Sequence, residues 1–536
     1  MSELEILDMD QATLDMNQAK EIMRSLYGEN RQIAGENYDK SLAVKCINGT
    51  FVGKETDGII AYKGIPFVGR QPVGELRWKA PVDVIPDDGV YEAYYNAKSA
   101  CQLENPEEPA SVYVQGEDCL YLNIWSAADA AQKKPVMVWI HGGAFELDGT
   151  VDPLYECHNF VKENPEVVVV SIAYRLGVLG FFHLSHLEDG KDYPDAQNLG
   201  LMDQMMALKW VHENIEGFGG DPDNVTIWGE SAGAASVTLL PLIEGSHKYF
   251  KRVIAQSGAP AQTRTAQEAI ARTSEMMEAL GCKTVSDLLK VDAKKLVDTA
   301  ADLYGFYTVL EICLLPERDG AYLPLDPFDA YGKGAAKDID FLQGCNKDEM
   351  DVFAFVFGEE NWKAWCENRK ARKLAQLTDE EKKRVESFED IGRLVEQILF
   401  VAPQIRLSDE QARGGGKSYT YLFTPESAYP GVGSGHASEL ATVFNHPELN
   451  ELAGRVFDET FCKTMRKMWV QFAKTGDPSL SADISPDGKA YEWPLYDLED
   501  RKVMVLDEFD IHSEKEAERK IVDWEKTYFL TNYYML

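Results

Sequence analysis

The stretch 224–237, NVTIWGESAGAASV, runs from a β-branched apolar segment into a run of small residues. Ser231 lies between two glycines, each two positions away, and glycines let backbone segments approach where larger side chains would clash. The pattern predicts a strand over 225–228 and a helix from Ala232, with the serine exposed at the sharp turn between them. This arrangement is typical of a nucleophilic serine, but one such pentapeptide is weak evidence, so the rest of the chain must supply the partners.

Further apolar segments along the chain predict the strands of one large sheet. Besides 225–228, these segments are KPVMVWI (134–140), VVVVSIAY (167–174), KRVIAQ (251–256), IDFLQGC (339–345) and KSYTYLF (417–423). Because they alternate with segments of helical spacing, such as 198–215, they indicate an α/β fold with a mostly parallel central sheet flanked by helices. The glycine-broken stretch 42–68 predicts an N-terminal antiparallel edge, and the charged, leucine-containing segments 262–312 and 359–400 predict helical cap insertions.

The first forty residues differ in composition from the rest of the chain. They are polar and charged, and four apolar residues predict one face of a short helix that ends at Gly28: Leu14, Ile22, Met23 and Leu26. We therefore expect 1–40 to be a helical, docked extension and 41–536 to be a single domain. The N-terminus lacks the basic start and apolar core of a secretory signal, and no stretch reaches the roughly eighteen apolar residues of a membrane span. We expect a cytoplasmic protein.

The charge balance excludes some classes of partner. The chain carries 89 acidic and 54 basic residues, a net charge of −35, and such a surface repels phosphate backbones and anionic lipids. We therefore expect neither nucleic acid nor membrane as a partner. The nine cysteines form no Cys-x-x-Cys pair, and no metal-binding cluster is visible. A homo-oligomer is compatible with the sequence, which does not decide the oligomeric state.

A serine hydroxyl needs a base to take its proton, and the base is usually a histidine oriented by a carboxylate. The histidines that follow Ser231 are His247, His436, His446 and His512. His436 lies in a glycine-rich loop directly after a predicted strand, where ligands bind in such sheets, so we expect it to be the base. His446, which precedes a proline, is the alternative.

The acid and the oxyanion donors have their own candidates. Just past the strand 339–345 the chain offers Asp348, Glu349 and Asp351, and spacing alone does not choose among them. An oxyanion requires backbone N–H donors, which the residue after the nucleophile and the glycine turn HGGAF (141–145) would supply. We interpret His141, which lies upstream of the serine, as a side chain that braces this turn.

Many sequence blocks in the same order carry a resemblance to a known family. The blocks are YKGIPFV, LRWKAP, GEDCLYLNIW, WIHGGAF, AYRLGVLGFF, NLGLMDQMMALKWVHENIEGFGGDPDNVTIWGESAGAASV, QSG, GCNKDE, GHASEL and FAKTGDP. From about residue 43 to about residue 500 the chain resembles the type-B carboxylesterases, the cholinesterase-like family of the α/β-hydrolase fold. The resemblance implies an α/β-hydrolase fold and a serine esterase.

Carried over residue by residue, the resemblance implies a complete site. It makes Ser231 the nucleophile, Glu349 the acid and His436 the base. It places the oxyanion hole at Gly143, Ala144 and Ala232, and it places Glu230 on the active-site floor. Cys101 and Cys119 match the family's first disulfide pair.

The implied reaction is hydrolysis of small to medium uncharged esters through an acyl-enzyme, without a metal or organic cofactor. Aromatic candidates for the pocket wall are Phe145, Phe306, Tyr307, Phe353, Phe355 and Phe357. The same machinery could act on an amide, a carbamate or a lactone, since leaving-group preference depends on pocket shape. A further alternative is a non-catalytic adhesion protein, a kind of relative that keeps this scaffold without the serine chemistry.

Overall fold

The computed structural model describes residues 28–103, 113–129, 133–304, 314–386 and 391–515. Their strands are β1 (Ala43–Cys46), β2 (Asn48–Val52), β3 (Lys54–Thr56), β4 (Ile59–Pro66), β5 (Asp87–Glu92), β6 (Tyr121–Ala127), β7 (Lys134–Ile140), β8 (Val168–Ile172), β9 (Gly220–Glu230), β10 (Arg252–Gln256), β11 (Arg264–Thr265), β12 (Glu317–Arg318), β13 (Asp340–Asn346), β14 (Lys417–Phe423), β15 (Lys502–Leu506) and β16 (Ile511–Lys515).

The helices connect and cover these strands. They are α1 (His158–Glu163), α2 (Gly177–Gly180), α3 (Leu199–Asn214), α4 (Ala232–Leu239), α5 (Ala266–Leu280), α6 (Val285–Leu288), α7 (Ala293–Tyr304), α8 (Pro327–Gly332), α9 (Asp351–Phe357), α10 (Glu359–Gln376), α11 (Asp379–Glu386), α12 (Ile391–Glu396), α13 (Ala402–Arg413), α14 (Leu440–Phe444) and α15 (Glu459–Thr475). A π-helical turn, Gln397–Val401, joins α12 to α13.

Within the described residues, an eleven-stranded sheet has the order β16-β15-β14-β13-β10-β9-β7-β8-β6-β4-β3. The strands from β15 to β8 are parallel, whereas β16 at one edge and β6, β4 and β3 at the other are antiparallel to their neighbours. The expected mostly parallel sheet with an N-terminal antiparallel edge is therefore confirmed. Strands β1, β2 and β5 form a separate small sheet.

The central strands bury both faces because successive residues point to opposite sides. In β7, Val136 and Val138 join one apolar cluster with residues of α3 and α4. The intervening Met137 and Trp139 join a second cluster with residues of α14 and α15. Helices on both sides thus explain why these strands are apolar at every position rather than at alternate ones.

The predicted insertions are helical where the structure describes them. Helices α5, α6 and α7 follow β10, and helices α10 to α13 lie between β13 and β14. Met350, Val395, Leu399 and Phe400 belong to one small apolar cluster, which brings the second insertion against the chain just after β13. The cap therefore packs directly on one end of the sheet.

The N-terminal helix predicted from Leu14, Ile22, Met23 and Leu26 lies outside the described residues. Residues 31–33, which are described, pair with β5 through an isolated antiparallel bridge between Gln32 and Tyr91, beside which Ile33 N–H donates to Val90 O (2.7 Å). Asn30 fixes this segment, because its Nδ2 donates to Lys63 O (2.9 Å) and to Tyr95 O (3.0 Å). The division at residue 40 stays a prediction. Among helices of the described residues, none combines the length and apolar character needed to cross a bilayer.

Candidate active site

The turn between β9 and α4 holds Ser231 in a strained backbone conformation. Its φ is 55° and its ψ is −119°, and its N–H donates to Gln256 O on the neighbouring strand (2.9 Å). A Cβ on Gly233 would lie 2.1 Å from Ile140 O, and one on Gly229 would lie 2.7 Å from the same oxygen. Both glycines are required because β7 passes against this turn, as the sequence indicates.

Glu349 is held at the carboxyl end of β13. The side chain is fully buried, and its Oε1 accepts hydrogen bonds from Ser257 Oγ (2.6 Å) and from Asn346 N (2.7 Å). Its Oε2 lies 2.6 Å from His436 Nδ1. A carboxylate fixed on both oxygens can orient the ring and keep the proton on Nδ1. The other acid candidates, Asp348 and Asp351, contact an arginine instead.

His436 lies in the loop after β14 and is 8% exposed. Its backbone N–H donates to Glu349 O (3.2 Å), and its ring packs against Phe353 and Phe400, with ring centroids 5.5 and 4.8 Å apart. The remaining ring nitrogen, Nε2, lies 3.0 Å from Glu230 Oε1. The structure thus brings the predicted base, acid and floor residue into direct contact.

The other histidines considered for the base have different partners. His446 Nε2 lies 2.7 Å from Glu156 O, and its Nδ1 lies 3.0 Å from Glu448 Oε1. His247 Nε2 lies 2.7 Å from Pro241 O. His512 is exposed on the edge strand β16. Only His436 among these four contacts a glutamate at the carboxyl ends of the central strands, as far as the described residues extend.

Ser231 follows Glu230 directly, and their side chains border the same glycine. A Cβ built on Gly142 would lie 3.3 Å from Ser231 Cβ and 3.1 Å from Glu230 Oε2. Within the described residues, the serine hydroxyl makes no hydrogen bond to His436, and Glu230 Oε1, 3.0 Å from Nε2, is not aligned for one either. The nucleophile candidate is therefore the chain neighbour of a carboxyl group that lies close to the base.

The charges around the imidazole are unusually concentrated. Burial lowers the pKa of His436, but attraction by Glu230 and Glu349 outweighs this effect, so its pKa is raised. Burial raises the pKa of Glu230, opposed by His436 and assisted by Glu439 and Glu349. Burial and repulsion from Glu349 also raise the pKa of Glu439. The protonated imidazolium is thus the favoured form of the ring in this environment.

Sequence reasoning did not assign roles to several polar residues that support the site. Gln256 Nε2 donates to Glu439 Oε1 (3.0 Å), and Asn346 Nδ2 donates to Glu439 Oε2 (2.7 Å) and to Gly435 O (2.7 Å). Ser257 holds Glu349, as described above. Gln256, Ser257 and Asn346 lie at or just past the carboxyl ends of β10 and β13, which is the signal that could have identified them.

The predicted oxyanion donors lie on tight backbone turns. Gly143 has a φ of 81°, and a Cβ there would lie 2.3 Å from Leu147 O. Ala144 also has a positive φ, 57°, and its side chain is buried. Within the part of the chain that the structure describes, the N–H groups of Gly143, Ala144 and Ala232 donate to no protein acceptor. Backbone N–H groups without a protein acceptor are what an oxyanion hole requires.

His141 is buried beside this turn and stacks on Tyr174, with ring centroids 4.5 Å apart. Tyr174 OH donates to His141 O (2.9 Å). Burial lowers the pKa of His141 to about 4, so this ring is neutral at ordinary pH. Its surroundings agree with the interpretation that His141 braces the turn.

The aromatic pocket candidates have different surroundings. Phe353 contacts His436, and Phe357 packs on Phe353 (6.1 Å between centroids). Phe145 is fully buried against Phe181, and Phe355 stacks on Tyr429 while 46% exposed. Phe306 and Tyr307 lie outside the described residues. The wall residue that sequence reasoning missed is Phe400, on the π-helical turn, a feature frequent at functional sites.

Cys101 and Cys119 carry free thiols in the structure. Both line the same small cavity, and burial raises the pKa of the Cys101 thiol to about 12. The disulfide that the family resemblance implies is thus not formed in this structure. No group of three or more His, Cys, Asp or Glu side chains within the described ranges is arranged to hold a metal ion.

Comparison with known proteins places this geometry in a family. Residues 40–522 match the model of the carboxylesterase family. Para-nitrobenzyl esterase of Bacillus subtilis is 33% identical over 492 residues, 88% of this chain and 96% of that protein. The solved carboxylesterase of Geobacillus stearothermophilus is 34% identical with a TM-score of 0.76, covering 89% of this chain and 98% of that one. A solved structure of a thermophilic para-nitrobenzyl esterase is 31% identical with a TM-score of 0.80, covering 92% of this chain and 100% of that one.

The chain belongs to the carboxylesterase family, and its fold is that of the α/β-hydrolases. The resemblance to type-B carboxylesterases found in the sequence is confirmed. The protein is a serine carboxylic ester hydrolase, an assignment that the family and its esterase relatives support together.

Replacing Gly233 by alanine tests the close approach of β7 to the turn that carries Ser231. The new Cβ would meet the backbone oxygen of Ile140, which cannot move without shifting the strand, so we expect a loss of about 3 kcal/mol or more in the free energy of unfolding. Chemical unfolding measures this loss. Gly281→Ala is the control, because its φ of 66° is strained but its surroundings are open, which costs about 1 kcal/mol. Equal losses for the two variants would refute the steric argument.

Glu230→Gln tests the electrostatic coupling at Nε2. Removing the carboxylate destabilises the imidazolium, so His436 becomes a neutral base at lower pH and the acidic limb of kcat/KM should move down by about one pH unit. The pH profile for a neutral para-nitrophenyl ester measures this shift. Glu163→Gln removes a carboxylate that pairs with Arg466 instead, and should leave the profile in place. If the acidic limb of the Glu230→Gln pH profile did not move, or moved to higher pH, the electrostatic coupling between Glu230 and His436 would be contradicted.

Proposed function

We propose that Ser231, Glu349 and His436 form a catalytic triad that hydrolyses carboxylic esters through an acyl-enzyme intermediate. The observation that carries this proposal is the 2.6 Å contact of His436 Nδ1 with Glu349 Oε2, just past the carboxyl ends of β14 and β13. A buried carboxylate on one ring nitrogen leaves the other nitrogen free to exchange a proton with a nucleophile.

In the proposed reaction, His436 Nε2 takes the proton of Ser231 as the hydroxyl attacks the ester carbonyl. This step requires Nε2 to face Ser231 rather than the adjacent Glu230, and the two side chains are neighbours in the chain. The tetrahedral oxyanion then accepts hydrogen bonds from the N–H groups of Gly143, Ala144 and Ala232, which have no protein acceptor among the described residues. The alcohol leaves with the proton from His436, and water repeats the sequence to release the acid.

Glu230 forms the floor of the proposed site. Its Oε1 lies 3.0 Å from His436 Nε2, so its negative charge would stabilise the imidazolium that forms during each proton transfer. Its near-complete burial strengthens this effect, because little solvent screens the two groups.

The proposed substrates are small to medium uncharged esters. The aromatic rings of Phe353 and Phe400 border the base and offer an apolar surface, whereas the buried carboxyl groups of Glu230, Glu349 and Glu439 disfavour an anionic acyl group. The name of the Bacillus subtilis relative indicates a para-nitrobenzyl ester. A neutral ester of that kind fits the chemistry of this site.

Ser231→Ala tests the proposed nucleophile. We expect ester hydrolysis to fall by at least about 10⁴-fold, because the acyl-enzyme cannot form, and we expect the thermal unfolding midpoint to stay unchanged. Initial rates with para-nitrophenyl butyrate and labelling by a fluorophosphonate probe measure the effect. Ser274→Ala, at an exposed position of α5, is the matched control and should behave like the unmodified protein. Retained hydrolysis in Ser231→Ala would refute the assignment.

A substrate panel then separates the alternatives. Para-nitrophenyl esters of graded acyl length, run beside anilides, carbamates and lactones, would reveal the preferred bond. We expect the highest kcat/KM for neutral esters. A higher value for a lactone, amide or carbamate would replace the ester proposal, and a protein that neither hydrolyses any of them nor reacts with the probe would be a binding protein.

A further inference from the structure

An arginine from the cap contacts three carboxyl groups beside the proposed acid. Arg393, on α12, has its Nη2 2.8 Å from Asp348 Oδ1 and 3.0 Å from Asp351 Oδ2. Its Nη1 lies 2.9 Å from Glu396 Oε2. Asp348 and Asp351 flank Glu349 in the sequence, so the guanidinium closes over the turn 348–351 that carries the acid. The proposed proton transfers use none of these four residues.

Asp348 connects this turn to the loop that carries the base. Its backbone N–H donates to Ser434 O (3.0 Å), and its Oδ2 accepts from Ser434 N (3.0 Å). A Cβ on Gly433 would lie only 2.4 Å from Asp348 Oδ2, so the loop passes directly over the carboxylate. Asp348 therefore ties the position of His436, two residues past Ser434, to the position of Glu349.

Glu396 completes the contact from the cap side. It is fully buried, and its Oε2 accepts a hydrogen bond from Met350 N (3.3 Å), the residue that follows Glu349. Burial raises the pKa of Glu396, and the nearby charge of Arg393 opposes this shift. Arg393 therefore contacts Glu396, Asp348 and Asp351 together.

We propose that Arg393 is a positioning residue, which clamps the turn 348–351 and through Asp348 keeps Glu349 and His436 in register with each other. This inference rests on the proposed triad. Glu349 and His436 belong to two different loops, and a catalytic contact tolerates only fractions of an ångström of misplacement. Without the guanidinium, the nearly buried charge of Asp348 would lose its closest partner, and the favoured response is movement of both loops.

The clamp acts on geometry more than on global stability. Arg393 keeps 33% of its side chain exposed, so solvent screens its ion pairs. A purely structural role for Arg393 would reduce the amount of folded protein, whereas a positioning role changes the rate per folded molecule.

The test compares Arg393→Met with Arg393→Lys, at equal concentrations of folded protein. In Arg393→Met we expect kcat to fall roughly ten- to hundredfold with little change in KM. We also expect the acidic limb of the pH profile to rise by about half a unit, because the positive charge beside the turn that carries Glu349 is lost. Glu230, Glu349 and Glu439 still face the ring, so the shift reports the lost charge. Arg393→Lys keeps the charge and should recover most of the rate and the original limb.

Two further variants complete the experiment. Arg501→Gln is the matched control: Arg501 has a similar exposure and contacts Asp409. It precedes β15 and so lies at the amino ends of the parallel strands, whereas the proposed site lies at their carboxyl ends, so rate and profile should be unchanged. Asp351→Asn removes a half-exposed negative charge and should move the limb to lower pH, opposite to Arg393→Met.

Several results would overturn the clamp. An Arg393→Met variant with the original kcat and pH profile per folded molecule would do so. Failure of Arg393→Lys to recover activity, or an upward limb shift in Asp351→Asn, would also do so. If the unmodified protein hydrolyses no ester, the proposed triad itself fails, and the clamp fails with it. If the unmodified protein is active and the variants behave as the original, only the clamp is refuted.

Discussion

The contact between the His436 ring and the Glu349 carboxylate unites parts of the chain that lie 87 residues apart. It forms because β13 and β14 are adjacent and parallel, with Asn346 opposite Phe423, so the two strands end side by side. The loops that follow them then leave the sheet at the same height. Neither loop holds its residue alone, since Ser257, Asn346 and Asp348 link them to each other and to β10.

This arrangement places unusual demands on the surrounding protein. Burying three carboxyl groups beside an imidazole destabilises the folded state unless each carboxyl group is hydrogen-bonded or uncharged. Gln256 and Asn346 donate to Glu439, and Ser257 donates to Glu349. Burial raises the pKa of Glu230, and the positive charge of His436 opposes this effect. The amide and hydroxyl groups at the strand ends therefore supply hydrogen bonds that stabilise the buried carboxyl groups around the ring.

The sequence predicted the parts of the molecule that have a local signal. The central strands could be predicted because burial on both faces makes them continuously apolar. The turn that carries Ser231 could be predicted because glycines lie where β7 passes closely. The edge strand β16 lacks the apolar signal of the central strands, since an exposed edge tolerates charged side chains. Residues 31–33 pair with β5, a distant partner that no local pattern reveals. The same holds for Phe400 and Arg393, whose roles come from packing against loops far along the chain.

The two helical insertions leave and return at neighbouring strands: the first connects β10 to β13, and the second connects β13 to β14. The free-energy cost of closing an insertion between fixed ends grows only with the logarithm of its length. Evolution could therefore lengthen, shorten or exchange either insertion and so change the ligand preference. The strand ends beneath the insertions would keep the reacting groups in place. The cap insertions would then vary while the strand ends stay constant, apart from the few side chains through which the two regions contact each other.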